Sequence, residues 1–140
     1  MPNFEKRHYN YSEWAKERFS DVVTVSGPVR MIFLAGVGAE DENGPIGTIR
    51  FPGDILGQCR YAFDKIKRNL ARHRATVADI VKIVSYVTDV RSAGVYFKCL
   101  AEVLGDAPRP AHTFLNINQL AHPGMLVEID VTAAIGREPA

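Results

Sequence analysis

Two segments near the C-terminal end carry side chains able to move a proton. Residues 111–118, AHTFLNIN, alternate, with Ala111, Thr113, Leu115 and Ile117 on one side and His112, Phe114, Asn116 and Asn118 on the other. Residues 125–135, MLVEIDVTAAI, do likewise: Met125, Val127, Ile129, Val131 and Ala133 oppose Leu126, Glu128, Asp130 and Thr132. The short connection from Gln119 to Gly124 leads to the expectation of neighbouring strands. Their mixed faces would bring the His112 imidazole and the Glu128 carboxylate to one concave, partly apolar patch. Such a pair can pass a proton to or from water. The same two residues would also suit a plain polar contact on a subunit interface, and the sequence leaves both readings open.

No other constellation competes. Cys59 and Cys99 have no base beside them in sequence and Cys59 falls on an apolar helix stripe, so both read as buried thiols. His8, His73, His112 and His122 show no metal-ligand spacing, and no metal site is expected. Gly36-Val37-Gly38 is no dinucleotide fingerprint, because Asp41 stands where a third glycine belongs; a P-loop and a GxSxG elbow are absent too. The basic run from Lys65 to Arg74 reads as a solvated helix face rather than a contact for RNA or an anion. Glu40 to Glu42 reads as an exposed hairpin tip.

The chain has 140 residues, enough for one domain, and 46% hydrophobic with 24% charged residues marks a folded protein. With 17 Lys+Arg against 16 Asp+Glu the net charge is +1, which argues against a dedicated nucleic-acid partner. No apolar run approaches the roughly 18 residues of a membrane span, and the first residues lack the apolar core of a secretory signal. The expected location is therefore the cytoplasm, with no membrane partner.

Residues 1–20 read as an arm that packs Phe4, Tyr9, Tyr11, Trp14 and Phe19 onto the body, with Ser12 capping a helical turn or two; residues 21–140 read as a single domain. Val22–Ser26 and Arg30–Val37 suggest a hairpin around Gly27-Pro28, and Asn43-Gly44 a second, followed by a brief strand over Thr48–Phe51. Asp54 caps a helix whose stripe is Ile55, Leu56, Cys59, Ala62, Phe63, Ile66 and Leu70. Asp79–Asp89 reads as a buried strand, and Ser92–Leu104 as a second helix stopped by Gly105. The fold class is α+β: a mixed sheet of five to six strands with two helices packed on one face. The other face would carry Phe114 and Leu126 beside His112 and Glu128. That is too apolar for bulk water, so it should bury against another subunit, with a pocket at the boundary.

Several of these segments together resemble the Rid family (YjgF/YER057c/UK114). They are Gly57-Gln58-Cys59-Arg60 at the head of the first helix, Asp79-Ile80-Val81-Lys82, Arg109-Pro110-Ala111-His112-Thr113, Leu120, and Val127-Glu128-Ile129. The likeness covers about residues 20–136. It implies a chorismate-mutase-like fold assembled as a homotrimer with sites at the subunit clefts. It also implies cofactor-free hydrolysis of reactive imines or enamines to a carbonyl compound and ammonia. By position, Glu128 matches the family's water-holding acid, Gly36 a residue whose backbone borders the substrate, and Phe114 one whose amide faces it. Ala35 and Thr113 complete the implied substrate lining, and His112 joins Glu128 as a catalytic candidate.

The sequence departs from the well-known deaminases at that last position. There an arginine follows Pro-Ala and grips the substrate carboxylate, whereas here the residue is His112. Ala35 replaces a frequent serine, Val22 an early tyrosine, and Arg109 lies three residues before His112. A 2-imino acid held by its carboxylate is thus a poor expectation. His112 would bind a smaller anion, donate one hydrogen bond, or act as the acid in ammonia departure, a role that a near-neutral pKa suits. The connection Gln119-Leu120-Ala121-His122-Pro123 is similar to that of some 2-aminomuconate deaminases, which implies an enamine from ring cleavage as substrate. Alternatives are a trimeric small-ligand-binding or chaperone-like protein and, further off, a ribonuclease or translation inhibitor.

Overall fold

The computed structural model describes residues 3–137. Asp54 accepts a hydrogen bond from the Gly57 N–H at 2.9 Å and starts helix α1 (Ile55–Arg72), satisfying one of the free donors of its first turn. Cys59, Ala62, Phe63, Ile66 and Leu70 recur on one side of α1 and are buried. Helix α2 (Ala93–Leu104) packs beside it, buries Tyr96, Cys99, Leu100 and Leu104, and stops at Gly105, whose φ of 54° is easily reached only without a Cβ.

Both helices cover one face of a four-stranded sheet. Strand β4 (Ile80–Val87) lies inside it, parallel to β5 (Ala111–Asn116) on one edge and antiparallel to β6 (Val127–Gly136) on the other. Strand β3 (Val29–Phe33) adds antiparallel to β6, so the order is β3-β6-β4-β5. The crossover from β4 to β5 passes through α2, as a parallel pair requires. Val127, Ile129, Val131 and Ala133 of β6 join Ile83 and Val87 of β4 under Phe63, Ile66, Tyr96 and Leu100. Intervening residues, among them Lys82, Val84, Tyr86, Glu128 and Asp130, lie on the open face.

The N-terminal third departs from the sequence expectation. Val22–Ser26 is strand β2, but its partner is β1 (Glu5–Tyr9) of the arm, in a separate two-stranded sheet. Gly27 has φ 85°, and a Cβ there would lie 2.3 Å from the Asn3 carbonyl oxygen. The chain therefore turns out beneath the arm rather than folding back, and β3 goes on to β6. The second hairpin shrinks to an isolated bridge between Glu40 and Ile49, with no strand over 48–51. Of the arm's aromatics, Phe4 and Phe19 are half-buried, but Tyr9, Tyr11 and Trp14 do not pack down and are 61%, 73% and 64% exposed. Polar groups anchor the arm instead, with His8 Nδ1 within 2.9 Å of Ser20 Oγ and 2.8 Å of the Arg109 carbonyl, and the Lys6 ammonium on the Ala78 carbonyl. Ser12 precedes a 3-10 turn at Glu13–Ala15 but its side chain makes no cap.

Ile129 sits at the centre of the covered face. Ile129→Ala should cost about 2–5 kcal/mol in chemical denaturation at fixed protein concentration. Truncating Ile46, which is 96% exposed, should stay within about 0.5 kcal/mol.

Candidate active site

Glu128 owes its position to the two-residue period of β6, which turns it away from the helices. After β3 the chain runs on beside β6, and Val37 and Ile129 exchange both backbone hydrogen bonds at 2.9 Å. That pairing presses Gly36 onto the Glu128 side chain. A Cβ on Gly36 would lie 2.8 Å from Glu128 Cδ and 2.9 Å from Asp130 Oδ1, so glycine is what lets the segment pass. Glu128 makes no hydrogen bond and no ion pair among the described residues, and it is only half-buried. Burial first, then the charges of Glu40 and Asp130, hold its carboxyl above the usual glutamate value. Asp130 accepts from the Tyr86 hydroxyl at 3.2 Å. Glu40 keeps one carboxylate oxygen buried without a partner, 2.6 Å from where a Cβ on Gly38 would stand.

His112 does not share this patch. In the parallel register it stands beside Ile83, and Phe114 beside Ser85, both on the helix-covered side of β4. Strand β4 separates β5 from β6, so the two ionisable groups lie on different strands and opposite faces of the sheet. The side of β5 taken as the open one is thus the side that meets α2. The His112 ring lies over Tyr96, with centroids 6.1 Å apart and planes at 17°, and edge-on to Phe97 at 5.4 Å. Its Nε2 is 2.9 Å from Ser85 Oγ, which also bonds the Tyr96 hydroxyl. Burial, with a contribution from the Lys82 charge, pushes the imidazole down to about 4. The near-neutral titration expected from the residue type therefore gives way to a ring that is neutral at pH 7.

Residues 11–135 match the family model described as Endoribonuclease L-PSP. The chain belongs to this family, the Rid (YjgF/YER057c/UK114) proteins. Solved Rid structures share its fold over most of both chains. A Rid-family protein of unknown function from Yersinia pestis is 28% identical, with a TM-score of 0.77 over 93% of this chain and 98% of its own. A member of the YjgF/YER057c/UK114 family from Mycobacterium tuberculosis is 27% identical, with a TM-score of 0.63 over 94% and 100%. RidA from an Antarctic Psychrobacter, at 22% identity and a TM-score of 0.67 over 84% and 88%, shares the fold.

Within this Rid chain the remaining candidates divide between two places. Gly36 stays with Glu128, and Phe114 stays with His112, 5.6 Å from Tyr96 and 5.1 Å from Phe97 between ring centroids. Thr113 lies on the open face beyond β4 and accepts from Lys82 Nζ at 2.9 Å. Ala35 and Gly36 line a groove of about 500 Å³ beside β3 that reaches Asn69 of α1 and His73 just past its end. A larger groove of about 940 Å³ between the arm and α2 contains Trp14 and Phe97 but neither Glu128 nor His112. Sequence reasoning missed Glu40, Tyr86, Ser85 and Tyr96. Counting both sides of the central strand by twos would have found Tyr86 and Ser85. The close glycines Gly36 and Gly38 were the signal that side chains crowd that segment.

Two titrations follow. Glu40→Gln removes a like charge, so the Glu128 carboxyl, followed by carbon NMR, should titrate at lower pH than in the parent. For His112 the folded value lies below the ordinary 6.5, so the unfolded chain binds the extra proton between about 6.5 and 4. Its contribution to stability is whole above that window and is lost as pH falls through it. His112→Phe should lose less stability over the same window when unfolding is measured in steps of pH.

Proposed function

We propose that this protein is a cofactor-free, cytoplasmic hydrolase of reactive imines and enamines that releases ammonia and a carbonyl compound. The observation that carries the reading is the Glu128 carboxyl: partly desolvated, flanked by other carboxylates, and with no cation or donor among the described residues to occupy it. A carboxylate so placed takes a proton from water more readily than a solvated one. An enamine first takes a proton from solvent on carbon and becomes the iminium form. Water oxygen then bonds to the iminium carbon as Glu128 takes one proton from water. Glu128 returns that proton to the amine nitrogen of the tetrahedral adduct. The C–N bond breaks and ammonia leaves as the hydroxyl gives its proton to the Glu128 carboxylate and the C=O bond forms. Glu128 then releases that proton to solvent. The Gly36 backbone, held against Glu128, borders the reacting carbon.

In this reading the site is completed between copies of the chain. Within one chain β4 stands between Glu128 and His112, so the His112–Phe114 side meets Glu128 only across a subunit boundary. Met31, Phe33 and Leu115, at 38%, 75% and 41% exposure, lie on the face that a homotrimer would bury. His112 then contributes a hydrogen bond to the substrate. A second reading, a ligand-binding Rid protein without turnover, draws on the same residue, because a neutral imidazole cannot grip a carboxylate as arginine does. Ribonuclease chemistry fits less well: His8, His73, His112 and His122 stand on separate segments and offer no acid–base pair.

The test is ammonia release from two substrate classes, 2-imino acids generated in situ and 2-aminomuconate-type enamines, with spontaneous hydrolysis subtracted. Turnover of the enamines over the imino acids is the expected result. Glu128→Gln should lower the rate on the order of 10²–10⁴-fold with the oligomer intact. Undiminished turnover in that variant would sink the mechanism, and no release from either class would favour the ligand-binding reading.

A further inference from the structure

Tyr96 is completely buried, and its hydroxyl has one partner among the described residues, Ser85 Oγ. Ser85 is buried as fully, and its hydroxyl touches only Tyr96 and, at 2.9 Å, His112 Nε2. The other ring nitrogen of His112, Nδ1, has no protein partner and is not among the buried unpaired atoms, so it reaches the surface. Three polar groups on α2, β4 and β5 therefore form a line that starts in the core and ends at a candidate site.

The hydrogens along that line admit two arrangements. In one, the Tyr96 hydroxyl donates to Ser85, Ser85 donates to Nε2, and the imidazole proton sits on Nδ1. In the other, Nε2–H donates to Ser85, and whichever way the Ser85–Tyr96 bond then runs, one of the two hydroxyl hydrogens stays buried with no acceptor. An unmade bond of that kind biases an equilibrium by roughly 5- to 150-fold. Tyrosine cannot escape by ionising, because burial pushes its hydroxyl well above the ordinary value.

We propose that Ser85, whose hydroxyl oxygen accepts from Tyr96, is the positioning residue that holds His112 with its ring proton on Nδ1 and its Nε2 as acceptor. The site then receives one fixed N–H donor from this position. The burial and the Lys82 charge that keep the ring neutral at pH 7 act in the same sense. Lys82, whose charge acts on this ring, lies across the sheet on the open face, where its ammonium donates to Thr113. As a statement about specificity the inference rests on the deaminase reading. The substrate atom at His112 would be a single acceptor, such as the carbonyl of a conjugated enamine, rather than a carboxylate clamped by two parallel bonds. Its tautomer is a property of the folded protein and needs no turnover.

Nitrogen NMR of histidine-labelled protein at pH 7 decides it, with the His112 signals assigned by their loss in His112→Gln. The expected result is a pyrrole-type Nδ1 and a pyridine-type Nε2. In Tyr96→Phe the Ser85 hydrogen has no acceptor other than Nε2, so Nε2 should stay pyridine type. Ser85→Ala removes the donor to Nε2, and there Nε2 should shift towards pyrrole type. A pyrrole-type Nε2 in the parent or in folded Tyr96→Phe, or a tautomer unmoved in folded Ser85→Ala, overturns the proposal. Lack of ammonia release would count against the deaminase reading alone and leave the tautomer standing.

Discussion

Hydrogen bonding of β4 along both edges constrains everything else in this molecule. Its register with β5 and β6 assigns each side chain of three strands to the helix side or the open side, with no intermediate choice. Ser85, Ile129 and Phe114 form one row under the helices; Tyr86, Glu128 and Leu115 form a row on the far side. The chemistry of the protein is a consequence of that division. It leaves a carboxylate on a face rich in apolar side chains, and an imidazole among the aromatic rings of α2.

The two groups are tuned in opposite ways by the same cause. Desolvation disfavours charge, so it raises the Glu128 carboxyl and lowers the His112 imidazole. Each therefore moves towards its neutral form. Neither has an ion-pair partner to restore its charge, since the carboxylates near Glu128 and the ammonium near His112 have the wrong sign. A structural salt bridge would show the reverse pattern. Groups whose charge is disfavoured and that lack an ion-pair partner are those prepared to exchange or donate protons.

Much of the scaffold was legible in the sequence because local rules and tertiary packing agree there. Asp54, the helical stripe from Ile55 to Leu70, Gly105, and the apolar alternation of residues 127–133 each specify their element without help from distant residues. The errors arose where alternation alone had to choose a partner or a face. Val22–Ser26 alternates equally well against the arm or against Val29–Phe33, and the crossing of Asn3 over Gly27 decides for the arm. On β5, Ala111, Thr113 and Leu115 look more like a buried face than His112 and Phe114 do. What reverses the choice is a donor and an acceptor on two other elements, Ser85 and Tyr96, which make an imidazole acceptable in the interior. No window of contiguous residues contains that information. Glu128 was placed on the open face because its strand has one unambiguous apolar side, whereas its neighbour Glu40 passed for part of a solvated tip.

The wiring of His112 into the core also limits how this protein can change by mutation. A guanidinium at position 112 would meet a buried serine already bonded to a tyrosine, two aromatic faces, and the charge of Lys82 nearby. An anion clamp at this position would therefore also need changes at Ser85 and Tyr96, which line the same space. What position 112 can offer a ligand thus depends on residues of two other elements.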